Sequence, residues 1–112
     1  MKIPKEGYLT GSSWNRMVFI GLQPLYPNRS QSIINHSPDG FNWGYGGSGP
    51  SQLALAILLE LTNEPLAKKL YQKFKFEIIA LLDEDFEYPI TSIKKWIRAM
   101  SNNPIPFYKD KE

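Results

Sequence analysis

Apolar positions along the chain change their rhythm near its middle. Up to Gly40 they come in short runs that suit strands, and beyond Pro50 they recur at helical spacing. The lead-in predicts a short strand at Gly7-Tyr8-Leu9-Thr10. Met17-Val18-Phe19-Ile20-Gly21-Leu22, β-branched and aromatic, predicts another. Pro24, Pro27 and Asn28 mark a turn. Ser32-Ile33-Ile34-Asn35 reads as a further short strand, and Ser37-Pro38-Asp39-Gly40 as a strong turn.

Ser51 to Leu61 is rich in strong helix formers and apolar on nearly every face, the pattern of a central helix covered on all sides. Ser48 is the expected N-cap, or else Gly49 caps and Pro50 takes the first helical position. Asn63 caps the next helix, with Glu64 favourable to its dipole. Ala67, Leu70, Tyr71, Phe74, Ile78 and Leu81 form its apolar stripe. The acidic stretch Asp83-Glu84-Asp85-Phe86-Glu87 ends that helix and reads as a solvated loop. Thr91 or Ser92 caps a third helix, whose stripe is Ile93, Trp96, Ile97 and Met100, and Asn102-Asn103-Pro104 stops it.

Strands first and helices second predict an α+β fold. A small antiparallel sheet from the N-terminal half packs against about three helices from the C-terminal half. Residues 1–103 are expected to form a single globular domain and 104–112 a flexible tail. A length of 112 residues fits one domain, and 42% hydrophobic residues are enough for a packed core. The aromatic share of 13% helps so short a chain close that core, because each ring buries a large area.

The formal net charge of +2 is too small to imply nucleic acid or membrane binding. The absence of cysteine excludes a disulfide scaffold and a thiolate metal site, and it fits a cytoplasmic location. No secretory leader is expected. The longest apolar run, Leu53 to Leu59, is far too short to span a bilayer.

The candidate chemistry centres on Gly46, Gly47 and Gly49. Without Cβ atoms their N–H groups can crowd together, and a helix start supplies a positive dipole end, the physical recipe for an anion site. The Lys-Ser/Thr pair that completes a P-loop is missing, and Pro50 removes one donor. A purely architectural role, with glycines letting the chain turn and the helix pack closely, is favoured. Anion binding requires the N–H groups from Gly47 to Ser51 to be open to solvent. His36, the sole histidine, suits a general base with Asp39 or Glu60, but its place between Asn35 and Ser37-Pro38 favours backbone bonding in a turn. Ser37 and Ser48 sit in no nucleophile elbow. Phe41, Trp43 and Tyr45 alternate as on a strand and share one face, which is favoured as core over a stacking platform. Lys68, Lys69, Lys73 and Lys75, with Lys94, Lys95 and Arg98, read as solvated helix faces, with phosphate contact the alternative.

Asn35-His36-Ser37-Pro38, followed by Gly40-Phe41-Asn42-Trp43-Gly44-Tyr45-Gly46-Gly47-Ser48-Gly49-Pro50 and the helix Gln52 to Leu59, resembles an uncharacterised domain family. That family occurs in bacteria, archaea and their phages and plasmids. A weaker block, Ala67, Tyr71, Phe74, Lys75 and Ile78-Ile79, is similar too. The resemblance spans roughly residues 7 to 97, a single-domain length. It implies an accessory protein of a virus or plasmid, working in the host cytoplasm if virus-encoded, and it hands over no catalytic residues.

A non-enzymatic protein-interaction module with an unidentified protein partner is the leading expectation. A small-anion or nucleotide binder is the alternative, and a weak nucleic-acid binder comes third. The candidate ligand-binding residues are Asn35, His36, Trp43, Tyr45, Gly46, Gly47, Ser48 and Gly49, and no catalytic set, metal or cofactor is expected.

Overall fold

The computed structural model describes residues 2–102. Four strands and four α-helices follow one another as β1 (Tyr8–Gly11), β2 (Val18–Ile20), β3 (Gln23–Leu25), α1 (Asn28–Ile33), α2 (Ser48–Leu61), α3 (Glu64–Glu77), β4 (Phe86–Pro89) and α4 (Ile90–Asn102). The fold is α+β, with one antiparallel sheet in the order β3-β2-β1-β4. The tail expected at 104–112 lies outside the described residues.

The hairpin between β2 and β3 turns on Gly21 and Leu22, with Ile20 paired to Gln23. Gly21 has φ +60°, the backbone state that a II′ hairpin demands at its first central residue. One face of the sheet carries Leu9, Val18, Leu25 and Phe86, all buried, and this face meets the helices. Gly11 pairs with Phe86 across β1 and β4, and the Phe86 ring lies where a Gly11 side chain would be. That ring then meets Trp43 edge-on at 5.0 Å.

Both sheet edges are blunted by proline. Ile90 donates to the Gly7 carbonyl, so the alternating antiparallel ladder directs Pro89, one pair along and with no N–H to offer, away from β1. By the same alternation, Gly21 donating to Tyr8 sets the phase that points Pro24 of β3 outward. Missing donors on an edge suppress pairing with another strand.

α2 runs through the centre and is buried continuously from Gly49 to Leu59. A helix apolar on all sides needs cover on all sides, which α1, α3 and the sheet provide. Asn63 caps α3 as expected, its Oδ1 accepting the Leu66 N–H at 3.0 Å. Trp96 of α4 packs on Phe74, with ring centroids 5.1 Å apart, and Ile93 is fully buried.

Five local expectations are corrected. Ser32 to Asn35 is not a strand, because Ser32 and Ile33 finish α1 and Ile34 and Asn35 pair with no strand. Pro24 sits in an edge strand rather than in a turn. The sheet does not come wholly from the N-terminal half, because Phe86–Pro89 pairs with β1, although Phe86 and Glu87 are expected within a solvated loop. Helix α3 stops at Glu77, where Ile78 departs from helical geometry, and Ile79–Leu81 is a 3-10 turn that leaves Leu81 exposed. Finally, α4 begins at Ile90, so Thr91 and Ser92 lie inside it rather than capping it. No helix among the described residues is long and apolar enough to cross a membrane.

Candidate functional site

The segment before α2 is tied down by one buried side chain. The amide of Gln52, fully buried, accepts the backbone N–H groups of His36 and Ser37 at 2.8 and 2.9 Å. It donates to Ser30 Oγ at 2.9 Å and to the Ile34 carbonyl at 3.0 Å. All four hydrogen-bonding positions of a primary amide are thereby used. Ser30 Oγ in turn donates to the Pro27 carbonyl at 2.8 Å. His36 Nε2 lies 2.7 Å from the hydroxyl of Tyr71 on α3. Asn35, between these anchors, is exposed.

Further on, the aromatics separate rather than share a strand face. Phe41 and Trp43 are buried while Tyr45 is about half exposed, and the segment forms no strand. Trp43 Nε1 donates to the Glu84 carbonyl at 3.0 Å. Gly44 has φ +85° and donates its N–H to the Ile79 carbonyl at 3.1 Å, a turn that a side chain would strain. Gly49 packs directly on Asn42, so a Cβ there would stand 2.6 Å from Asn42 Cβ and 3.1 Å from its backbone nitrogen. Gly46 and Gly47 instead abut the rings of Phe76 and Tyr45.

Gly47, not Ser48, is the N-cap of α2, and no side chain caps this end. Ser51 donates to the Gly47 carbonyl at 3.1 Å. Gly46 and Ser48 are exposed and Gly47 is half-buried, whereas Gly49, Pro50 and Ser51 are buried. The opening that anion binding requires is therefore confined to the first residues of the turn. Lys75 of α3, its Nζ 4.0 Å over the Phe76 ring, is only 6% exposed, against the expectation of a solvated lysine.

Two concavities border these elements. One of about 440 Å³ is lined by Arg16, Asn42, Trp43, Tyr45, Asp83 and Glu84, and the Arg16 guanidinium sits 5.1 Å over the Trp43 ring. It brings together Trp43 and Tyr45 of the expected residues, without Gly46 to Gly49. The other, about 490 Å³, is a predominantly apolar groove between β3 and the C-terminal end of α2, with Ile20, Pro24, Leu25, Tyr26 and Leu61 in its walls. Arg29 and Glu60, an ion pair at 3.5 Å, stand on its rim. Tyr26 in its wall is 60% exposed, and Leu22, in the turn next to Gln23 of the same wall, is 61% exposed.

Two lysines of α3 have carboxylate partners on the same helix. Lys68 pairs with Glu64 at 3.7 Å and Lys73 with Glu77 at 2.9 Å, each one helical turn apart. The Trp96 indole N–H, 2.9 Å away, and Lys73 hold the Glu77 carboxyl below its ordinary range. Asp85 is likewise lowered, chiefly by the Ser13 N–H at 2.8 Å, with the Ser13 hydroxyl adding to it. Among the described residues no three His, Asp or Glu side chains are grouped to hold a metal ion.

Sequence reasoning did not single out Gln52, Tyr26 or the inward turn of Lys75. A glutamine in an otherwise apolar stretch was the available signal for the first of these.

The chain belongs to a family of unknown function, DUF6166, which matches residues 7–99. No curated protein and no solved structure matches it.

Proposed function

We propose that this member of the DUF6166 family is a non-enzymatic interaction module that docks another protein in the groove between β3 and the C-terminal end of α2. The observation that carries this proposal is the groove of about 490 Å³ with Tyr26 exposed in its wall and Leu22 exposed in the turn that adjoins it through Gln23. Single apolar residues on a surface need no explanation, but several of them bordering one apolar concavity do. Tyrosine is also among the side chains that most often anchor interfaces.

Edge chemistry narrows the mode of docking. Pro24 withholds a donor from the outer edge of β3, so a partner gains little by adding a strand there. It enters side chain first, with an apolar or aromatic group in the groove and polar groups meeting Arg29 and Glu60 at the rim. The family resemblance of the Asn35 to Pro50 segment supports an accessory role in a phage or plasmid, in the cytoplasm of the host. Nucleic-acid binding through the lysines has less support, since Lys68 and Lys73 are paired with glutamates.

Photo-crosslinking in the native host tests the proposal. A reactive residue at position 26 is expected to capture one discrete protein that the same residue at Lys69, on the exposed side of α3, does not. Identical products from both positions contradict docking at the groove.

A further inference from the structure

We propose that the concavity bounded by Arg16, Trp43, Tyr45 and the Asp83-Glu84 pair binds a free amino acid as its zwitterion, with the carboxylate at Arg16 and the ammonium at the two carboxylates. It shares no lining residue with the apolar groove and is independent of docking there.

Arg16 is the first observation. Among the described residues it is the single non-glycine residue at positive φ, +58°. It closes the loop between β1 and β2, where its N–H donates to the Ser12 carbonyl at 2.9 Å and the Ser12 N–H donates to the Met17 carbonyl at 3.2 Å. Glycine takes that left-handed position without strain, and arginine does not. Strain of this kind persists where the side chain is needed in one place. Here the place is the face of Trp43, with the guanidinium 5.1 Å from the ring centroid. Stacking uses one face of the guanidinium and leaves its N–H edge for the two oxygens of a carboxylate.

The second is that opposite charges share the concavity without meeting. Asp83 and Glu84 line it together with Arg16. Yet among the described residues no carboxylate lies within ion-pairing distance of that guanidinium, and neither Asp83 nor Glu84 pairs with another cation. The frame holds the charges apart. Trp43, beneath the guanidinium, donates its indole N–H to the Glu84 carbonyl at 3.0 Å. Ser13, in the same loop as Arg16, donates its N–H and its hydroxyl to the Asp85 carboxylate at 2.8 and 3.1 Å. The loop that carries the cation is thus tied to the stretch that carries the anions. A simple anion between them is repelled by Asp83 and Glu84, and a simple cation by Arg16, whereas a dipolar ion satisfies both sides.

The third is the remaining wall. Asn42 Oδ1 accepts the Trp43 N–H at 2.9 Å, and Asn42 Nδ2 donates to the Tyr45 hydroxyl at 3.4 Å, which steadies a ring left 49% exposed. That ring offers the ligand's own side chain an apolar surface beside the charges. The volume of about 440 Å³ falls in the range of small-molecule sites.

The test is a titration of the full chain, labelled with nitrogen-15, with L-phenylalanine, followed at the Trp43 indole N–H signal. A saturable shift is expected. N-acetyl-L-phenylalanine, which lacks the cation, and L-phenylalaninamide, which lacks the anion, are each expected to bind about tenfold more weakly or worse. Arg16→Gly is expected to weaken L-phenylalanine about tenfold or more, while melting no lower than the parent, because glycine relieves the positive φ. An arginine that merely covers Trp43 would give the opposite, a lower melting temperature with unchanged affinity. The pair Asp83→Asn, Glu84→Gln is expected to weaken L-phenylalanine by a similar factor and to bind N-acetyl-L-phenylalanine no less well than the parent does. No saturable shift, equal binding of either blocked derivative, or unchanged affinity in Arg16→Gly would overturn the site.

Discussion

Gln52 Oε1 accepts the backbone N–H of His36 at 2.8 Å, across 16 residues of sequence. This contact joins the central helix to the His36-Ser37 turn. With the other three bonds of the same amide it makes Gln52 the node that holds α1, the turn and α2 together. Replacing it with leucine roughly keeps the volume but removes the partner of the His36 and Ser37 N–H groups and of the Ile34 carbonyl. Gln52→Leu is expected to lose about 3 kcal/mol or more of stability, read by urea unfolding. A loss under about 0.5 kcal/mol would mean that the turn finds other partners.

The glycines of the turn differ in what they tolerate. At Gly49 a methyl group meets the backbone and Cβ of Asn42, whereas at Gly47 it meets the Tyr45 ring, which is half exposed and can swing away. Alanine gains about 1 kcal/mol over glycine within a helix, less than the cost of displacing packed backbone. Gly49→Ala is expected to be destabilising by about 1–2 kcal/mol net, with Gly47→Ala milder. The reverse order in thermal unfolding would contradict the packing of Gly49 on Asn42.

Thr10 offers a stabilising change. Its side chain is buried on the face of the sheet away from α2, and its hydroxyl has no hydrogen-bond partner among the described residues. Thr10→Val replaces an unpaired polar atom with a methyl group of similar shape. A gain of about 1 kcal/mol is expected in the same urea assay, and a loss would show that the hydroxyl is satisfied in solution.

Acid should weaken the fold through Asp85 and Glu77. Both carboxyls are lowered from ordinary values of 3.8 and 4.5, so each stabilises the fold above those values. That contribution fades as pH falls through the lowered folded-state values. The double variant Asp85→Asn, Glu77→Gln is expected to show a shallower loss of stability below about pH 4.5 than the parent. Parallel acid limbs for the two proteins would rule out these groups as its source.

The elements legible in the sequence are those fixed by local chemistry. β2 follows from its β-branched run, α2 from its formers, and α3 from the Asn63 cap. What escaped depends on distant partners. β4 is four residues beside an acidic stretch, and it becomes a strand because β1, far away in sequence, leaves an edge for it. Its alternation of Phe86 and Tyr88 with Glu87 was a real signal, too short to decide. Ile33-Ile34 favours strand by propensity, yet α1 forms and Gln52 secures its end. Of the candidate site residues, the structure gathers Trp43 and Tyr45 at one concavity and Gly46 to Gly49 at the start of α2, while His36 joins Tyr71. Lys75 was open to prediction, since it falls one turn after Tyr71 on the inward stripe, but lysine there reads as surface by habit of composition.

Docking at the groove is the central claim, and the affinity of the purified crosslinked partner tests it most directly. Isothermal titration should show Tyr26→Asp weakening binding about tenfold or more. Phe76→Asp, near the far end of α2, should bind as the parent does. Unchanged affinity for Tyr26→Asp, or an equal loss for Phe76→Asp, would contradict docking between β3 and the end of α2.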